Sequence, residues 1–91
     1  MRAVRLRIEG RVQGVGYRFW AEQTANDLGL RGWVRNRRDG AVEILAIGEE
    51  AAVAELIESC RDGPPAARVT QISVEEAEDE GAAGFTAKPT I

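Results

Sequence analysis

Val4-Arg5-Leu6-Arg7-Ile8-Glu9-Gly10-Arg11-Val12-Gln13-Gly14-Val15-Gly16-Tyr17-Arg18 is the stretch on which the reading of this chain turns. Val4, Leu6 and Ile8 alternate with Arg5, Arg7 and Glu9, and period two is the signature of a strand with one buried face. Gly10 is expected to end that strand. A glycine-rich connection follows over 11–18. Tyr17, Trp20, Ala21, Thr24, Ala25 and Leu28 then recur at helical spacing, and Gly29 is placed to cap the helix. A strand therefore feeds, through a glycine loop, into the N-terminus of a helix.

Outward from this unit, a second strand is predicted over about 30–37. Asp39-Gly40 is a hairpin signal. A third strand over about 41–47 would bury Val42, Ile44 and Ala46. Gly48 opens a second helix with Glu49 and Glu50 in its first turn, where the helix dipole favours acids. Its apolar stripe is Val53, Leu56, Ile57 and Cys60, and Gly63-Pro64-Pro65 stops it. A fourth strand covers about 68–76, an acidic small-residue loop 77–84, and a short edge strand 85–88. The order β-α-β-β-α-β predicts an α+β, ferredoxin-like sandwich: an antiparallel sheet with two helices on one face and a short extra C-terminal strand. With 91 residues and no internal repeat, linker or low-complexity segment, one domain over 1–91 is expected.

Composition narrows the chemistry. Hydrophobic residues make up 44 % and charged residues 30 %, ordinary for a globular protein. No apolar run suits a signal peptide or membrane span, so a cytoplasmic protein without membrane contact is expected. Cys60 stands alone, which rules out an internal disulfide. With no histidine, Ser-His and Cys-His nucleophiles and the commonest zinc sites are excluded, as is the usual proton carrier near neutral pH. The net charge of −3 hides an asymmetry. Residues 1–38 carry nine arginines against three acids, and residues 39–91 carry three basic residues against twelve acids. The first part suits an anionic ligand.

The glycine loop is the candidate anion site. It ends at a helix N-terminus, where free N–H groups and the dipole favour negative charge. No Ser, Thr, Asp or Asn stands at Gly14, Val15 or Gly16 to cap that helix, so a bound phosphate is an alternative cap. Gly14 and Gly16 permit close approach, and Arg18 in the first turn can bind phosphate oxygens bidentately. The lysine and Ser/Thr of a P-loop are missing, and Phe19 breaks a dinucleotide-binding glycine pattern. A tight turn whose glycines serve geometry alone is the competing reading. Asn36 by itself reads as a turn residue before Asp39-Gly40. Cys60 reads as core, and Trp33, on the parity of Arg31 and Arg35, as cover for the open sheet face. Phe19 lies opposite the buried stripe, beside the loop. Arg35, Arg37 and Arg38 either steer an anion or are solvated. The acids 75–80 lack a ligand spacing and read as a solvated loop with no metal. An RNA-binding sheet would carry aromatics on strands 4–9 and 41–47, which have none, so no nucleic-acid partner is expected.

Gly10-Arg11-Val12-Gln13-Gly14-Val15-Gly16-Tyr17-Arg18 resembles the G-x-V-Q-G-V-x-[FY]-R signature of the acylphosphatase family. A second matching block is Leu28-Gly29-Leu30-Arg31-Gly32-Trp33-Val34-Arg35-Asn36, followed by Asp39-Gly40 and Val42-Glu43. The resemblance covers nearly the whole chain. It implies a metal-independent, cofactor-free hydrolase that cleaves the carboxyl–phosphate bond of small-molecule acyl phosphates. Inorganic phosphate would be product and competing ligand. Independently of the resemblance, nothing in the sequence demands more than a monomer. The resemblance implies that the backbone of Gln13, Gly14, Val15, Gly16, Tyr17 and Arg18 cradles the phosphoryl group. Arg18 would bind its oxygens, and Asn36 would orient the attacking water. The alternative is a non-catalytic acyl- or carbamoyl-phosphate binding module. Tyr17 stands where many relatives have Phe, and Ile47 where glutamine is frequent.

Overall fold

A computed structural model describes all 91 residues. Its elements are β1 (Arg2–Arg11), α1 (Tyr17–Asp27), β2 (Arg31–Asn36), β3 (Val42–Gly48), α2 (Glu50–Cys60), β4 (Arg68–Glu76) and β5 (Phe85–Ala87). They form one sheet of order β4-β1-β3-β2-β5. The expected βαββαβ order holds. The alternation in β1 does what period two predicts: Val4, Leu6 and Ile8 are fully buried beneath the helices. Val42, Ile44 and Ala46 of β3 join them, pairing with β1 as Ile8↔Val42, Leu6↔Ile44 and Val4↔Ala46. From the helices come Ala21 and Ala25 of α1 and Val53, Leu56, Ile57 and Cys60 of α2. Burial pushes the Cys60 thiol up to about 12, partly offset by its hydrogen bond with Tyr17, so it is a core group and not a nucleophile.

Three features differ from the expectations. First, β1 does not stop at Gly10. It runs to Arg11 through a bulge at Glu9/Gly10 in its pairing with β4. Gly10 takes φ 123° there, and a Cβ would strike the backbone of Arg68 and Thr70. Second, Gly48 ends β3, and α2 begins two residues later behind Glu49. Third, the sheet is mixed rather than wholly antiparallel, because β5 pairs parallel to β2. The register explains why. The end of β4 lies beside the start of β1, which lies beside the end of β3, which pairs with the start of β2. Segment 77–84 crosses the sheet from that end, so β5 enters where β2 enters and runs the same way.

The crossing segment is not simply solvated. Asp79 accepts from Arg31 at 2.5 and 3.3 Å, and Glu80 from Arg5 at 3.2 Å and from the Trp33 indole at 3.2 Å. Trp33, Leu45 and Ile47 form a small second cluster on this otherwise open face, with the Arg35 guanidinium 4.5 Å over the indole ring. Ile47 thus has an apolar role. No helix is long and apolar enough to cross a membrane.

Gly32 sits in β2 at φ 132°, and an added Cβ would collide with the Leu45 carbonyl of β3. Gly32→Ala is expected to cost about 3 kcal/mol or more, the upper end for a strained backbone position, read from urea unfolding. Acid should also destabilise the fold. The Ala41 N–H and then Arg7 hold the Asp39 carboxyl low, and Arg31 and then the Gly81 N–H do so for Asp79. Burial works to raise Glu43, but hydrogen bonds and charge from Arg35 and Arg37 leave it lowered. Depressed carboxylates stabilise the fold above their unfolded pKa, about 4, and lose that contribution as pH falls through their folded values. The unfolding midpoint is therefore expected to be level from about pH 7 to 5 and to drop below about pH 4.

Candidate active site

The glycine loop opens a cleft of about 210 Å³ lined by Val12, Gln13, Gly14, Gly16, Tyr17, Arg18, Phe19 and Asn36. Gly16 caps α1 in the left-handed region (φ 82°, ψ 18°) with no side chain bonded to the helix end, and Gly14 is also left-handed at φ 73°. Beside either glycine a Cβ would meet open space, so it is the backbone angle that favours glycine. The amides of Gly14 to Phe19 donate to no backbone or side-chain acceptor, and the first intrahelical bond is Trp20 N–H to Gly16 O at 3.0 Å. Free donors at a helix N-terminus with no acid in the first turn make a cradle for an anion.

Each predicted residue has a distinct place. Arg18, in the first turn, lines the cleft and has no carboxylate partner. Asn36 arrives from the far side of β3, at the end of β2, and its buried Oδ1 has no hydrogen-bond partner. An orphaned buried acceptor at a cleft wall is set up to bond a ligand or water. Gln13 contributes its backbone to the loop, but its side chain turns away. Its Nε2 donates to Arg37 O at 2.7 Å and Ala41 O at 2.8 Å, tying the loop to the β2–β3 hairpin. Nothing in the spacing of the sequence signals this strut. The Val15 side chain packs against the core and does not line the cleft. The Tyr17 ring is 1 % exposed, and its hydroxyl donates to Cys60 O at 2.6 Å, fixing the start of α1 to the end of α2. Burial drives this phenol well above its usual range, so it cannot serve as a neutral-pH acid. The backbone of Lys88 and Ile91 also reaches the site, donating to Val34 O and Asn36 O.

Charge is distributed unevenly around the cleft. Arg2, Arg5, Arg7, Arg31, Arg35, Arg37 and Arg61 are ion-paired. Arg35 and Arg37 share the single Glu43 carboxylate, which Arg5 also approaches at 3.5 Å, so their positive charge is only partly offset. The arginines without a carboxylate partner are Arg11, Arg18, Arg38 and Arg68. Arg11 and Arg68 are cross-strand partners where β1 meets β4, and Arg38 follows Asn36, so all four sit at the loop end of the sheet. No carboxylate lines the cleft, and no three His, Cys, Asp or Glu side chains converge anywhere in the chain to hold a metal.

The family model for acylphosphatase matches residues 4–87. An acylphosphatase of Rhodospirillum rubrum is 50 % identical over 91 residues, all of both chains. The crystal structure of an acylphosphatase from Bacillus subtilis superposes with a TM-score of 0.93 at 44 % identity, covering 97 % of this chain and 99 % of that one. Full-length HypF in a phosphate- and nucleotide-bound form superposes with a TM-score of 0.90 at 28 % identity, over 98 % of this chain but 12 % of that one.

Gln13→Leu removes both strut bonds, leaving the Arg37 and Ala41 carbonyls to the Gly40 and Arg37 N–H donors of the hairpin, and should cost about 2 kcal/mol of stability. The loop should then drift from the hairpin, and affinity for inorganic phosphate, followed by isothermal titration, is expected to fall about tenfold.

Proposed function

The chain belongs to the acylphosphatase family, enzymes that hydrolyse the carboxyl–phosphate bond of acyl phosphates, and from that premise we propose how its own residues do so. The unbonded amides of the loop and the Arg18 guanidinium hold the phosphoryl oxygens, and Asn36 orients the water that attacks phosphorus in line with the departing carboxylate. The observation that carries this reading is the meeting, in one cleft, of a carboxylate-free arginine, unbonded amides and the orphaned Asn36 Oδ1. Phosphoryl transfer needs positioning and charge stabilisation more than covalent chemistry, which suits these parts.

The cleft offers no general base. Its only titratable side chains are Arg18 and Tyr17, the latter tied to Cys60 O and raised by burial. The water's proton therefore passes to the phosphoryl group itself, and the carboxylate leaves without protein acid catalysis because it is already a stable anion. The ligands are small-molecule acyl phosphates, with inorganic phosphate as product and competitor. The reading also has a single domain over 1–91, acting as a cytoplasmic monomer without metal, cofactor, nucleic-acid or membrane partner. A domain of this fold makes up about an eighth of HypF, which keeps a non-catalytic carboxyl-phosphate binding module as the second reading. The 50 % identity to the Rhodospirillum rubrum acylphosphatase favours the enzyme.

Hydrolysis of benzoyl phosphate with EDTA present tests the assignment. Arg18→Gln is expected to lower kcat/KM at least about 10³-fold and to abolish competition by phosphate. Asn36→Ala is expected to lower kcat about 10²-fold or more with the phosphate inhibition constant nearly unchanged, since it touches the water and not the anion. Loss of phosphate competition in Asn36→Ala would refute that division of roles, and a folded wild type without turnover would leave the binding module. With no cleft group titrating near neutrality, kcat should be level between about pH 5.5 and 8.

A further inference from the structure

Phe19 is an aromatic side chain that the fold leaves unused. It is 68 % exposed, takes no part in the Tyr17–Trp20 ring pair, and belongs to neither apolar cluster. The other large hydrophobics left exposed are chain-end residues, Met1 and Ile91, and Val74 on the edge strand β4. Phe19 alone among them lines a cleft, the one that also holds Arg18 and Asn36. The remaining apolar lining residues, Val12 and Tyr17, are each 1 % exposed and committed to the core.

We propose that Phe19 determines acyl specificity: with the phosphoryl group on the loop, the acyl substituent packs on the exposed Phe19 ring, favouring aromatic and bulky apolar acyl phosphates. The inference rests on the phosphate assignment of the preceding section. An acyl phosphate held by its phosphoryl oxygens must project its carbon chain toward the mouth of the cleft, because the floor is backbone amide and buried side chain. Phe19 follows Arg18 directly in the first turn of α1, and its exposed side chain lines the same cleft. A phenyl substituent can stack on the Phe19 ring or meet it edge-on, whereas an acetyl methyl group offers little area.

The test compares kcat/KM for benzoyl phosphate and acetyl phosphate in wild type, Phe19→Ala and Phe19→Leu. The benzoyl-to-acetyl ratio is expected to fall about tenfold in Phe19→Ala, chiefly through KM for benzoyl phosphate, with Phe19→Leu between. Because the ring is exposed, the thermal midpoint should be unchanged. A ratio that stays at the wild-type value, whether both substrates suffer equally or neither does, overturns the proposal. Wild type that turns over neither substrate overturns the hydrolase reading and this inference together, whereas turnover with an unchanged ratio overturns this inference alone.

Discussion

Two hydrogen bonds from one carboxamide join the halves of the site. The loop follows β1 and Asn36 ends β2, and the β1–β3 ladder that joins them through β3 has Ile8↔Val42 as its last pair, short of the loop itself. The Gln13 side chain spans the gap by donating to Arg37 O and Ala41 O. Both acceptors flank the hairpin turn, so its position is set from the loop. Tyr17 anchors the other side of the loop through Cys60 O. The distance between the amide cradle and Asn36 is thus held by side chains locked at both ends, the preorganisation that electrostatic catalysis requires.

The same economy governs charge. The arginines of the open sheet face are ion-paired with acids from later in the chain: Arg35 and Arg37 with Glu43, Arg7 with Asp39, Arg31 with Asp79. These exposed and half-exposed pairs contribute modestly to stability. Their larger consequence is where positive charge is left over. Arg11, Arg18, Arg38 and Arg68 lie at the loop end without carboxylate partners, so an incoming anion meets positive charge there while the rest of the chain is net acidic. The charge asymmetry along the chain becomes a polarity in space.

Segment 77–84 shows a different kind of coupling. Asp79 and Glu80 fasten it over the open face, and Trp33 fills the space beneath between Arg35 and Glu80. Crossing the sheet in this way delivers β5 to the edge beside β2, and the backbone of Lys88 and Ile91 continues down that edge to Val34 and Asn36. The strand that carries Asn36 is therefore paired on both sides, which removes an exposed edge next to the cleft.

Most of this architecture follows from local signals. Alternation at Val4, Leu6 and Ile8, the helical stripe from Tyr17 to Leu28, Asp39-Gly40 and the proline stop each depend on near neighbours, so elements and their order are legible in the chain alone. So are the uncapped helix start and Arg18, and the family motifs picked out Asn36, which by itself looks like any turn residue. What needed the fold were relations between distant residues. The direction of β5, the Gln13 strut, the pairing of Asp79 and Glu80, and the four arginines left free all depend on which segments become neighbours. A periodic pattern reports which face of an element is buried. Only chain closure in three dimensions decides which partner meets that face, because contacts across 24 to 75 residues are set by strand register and not by local preference.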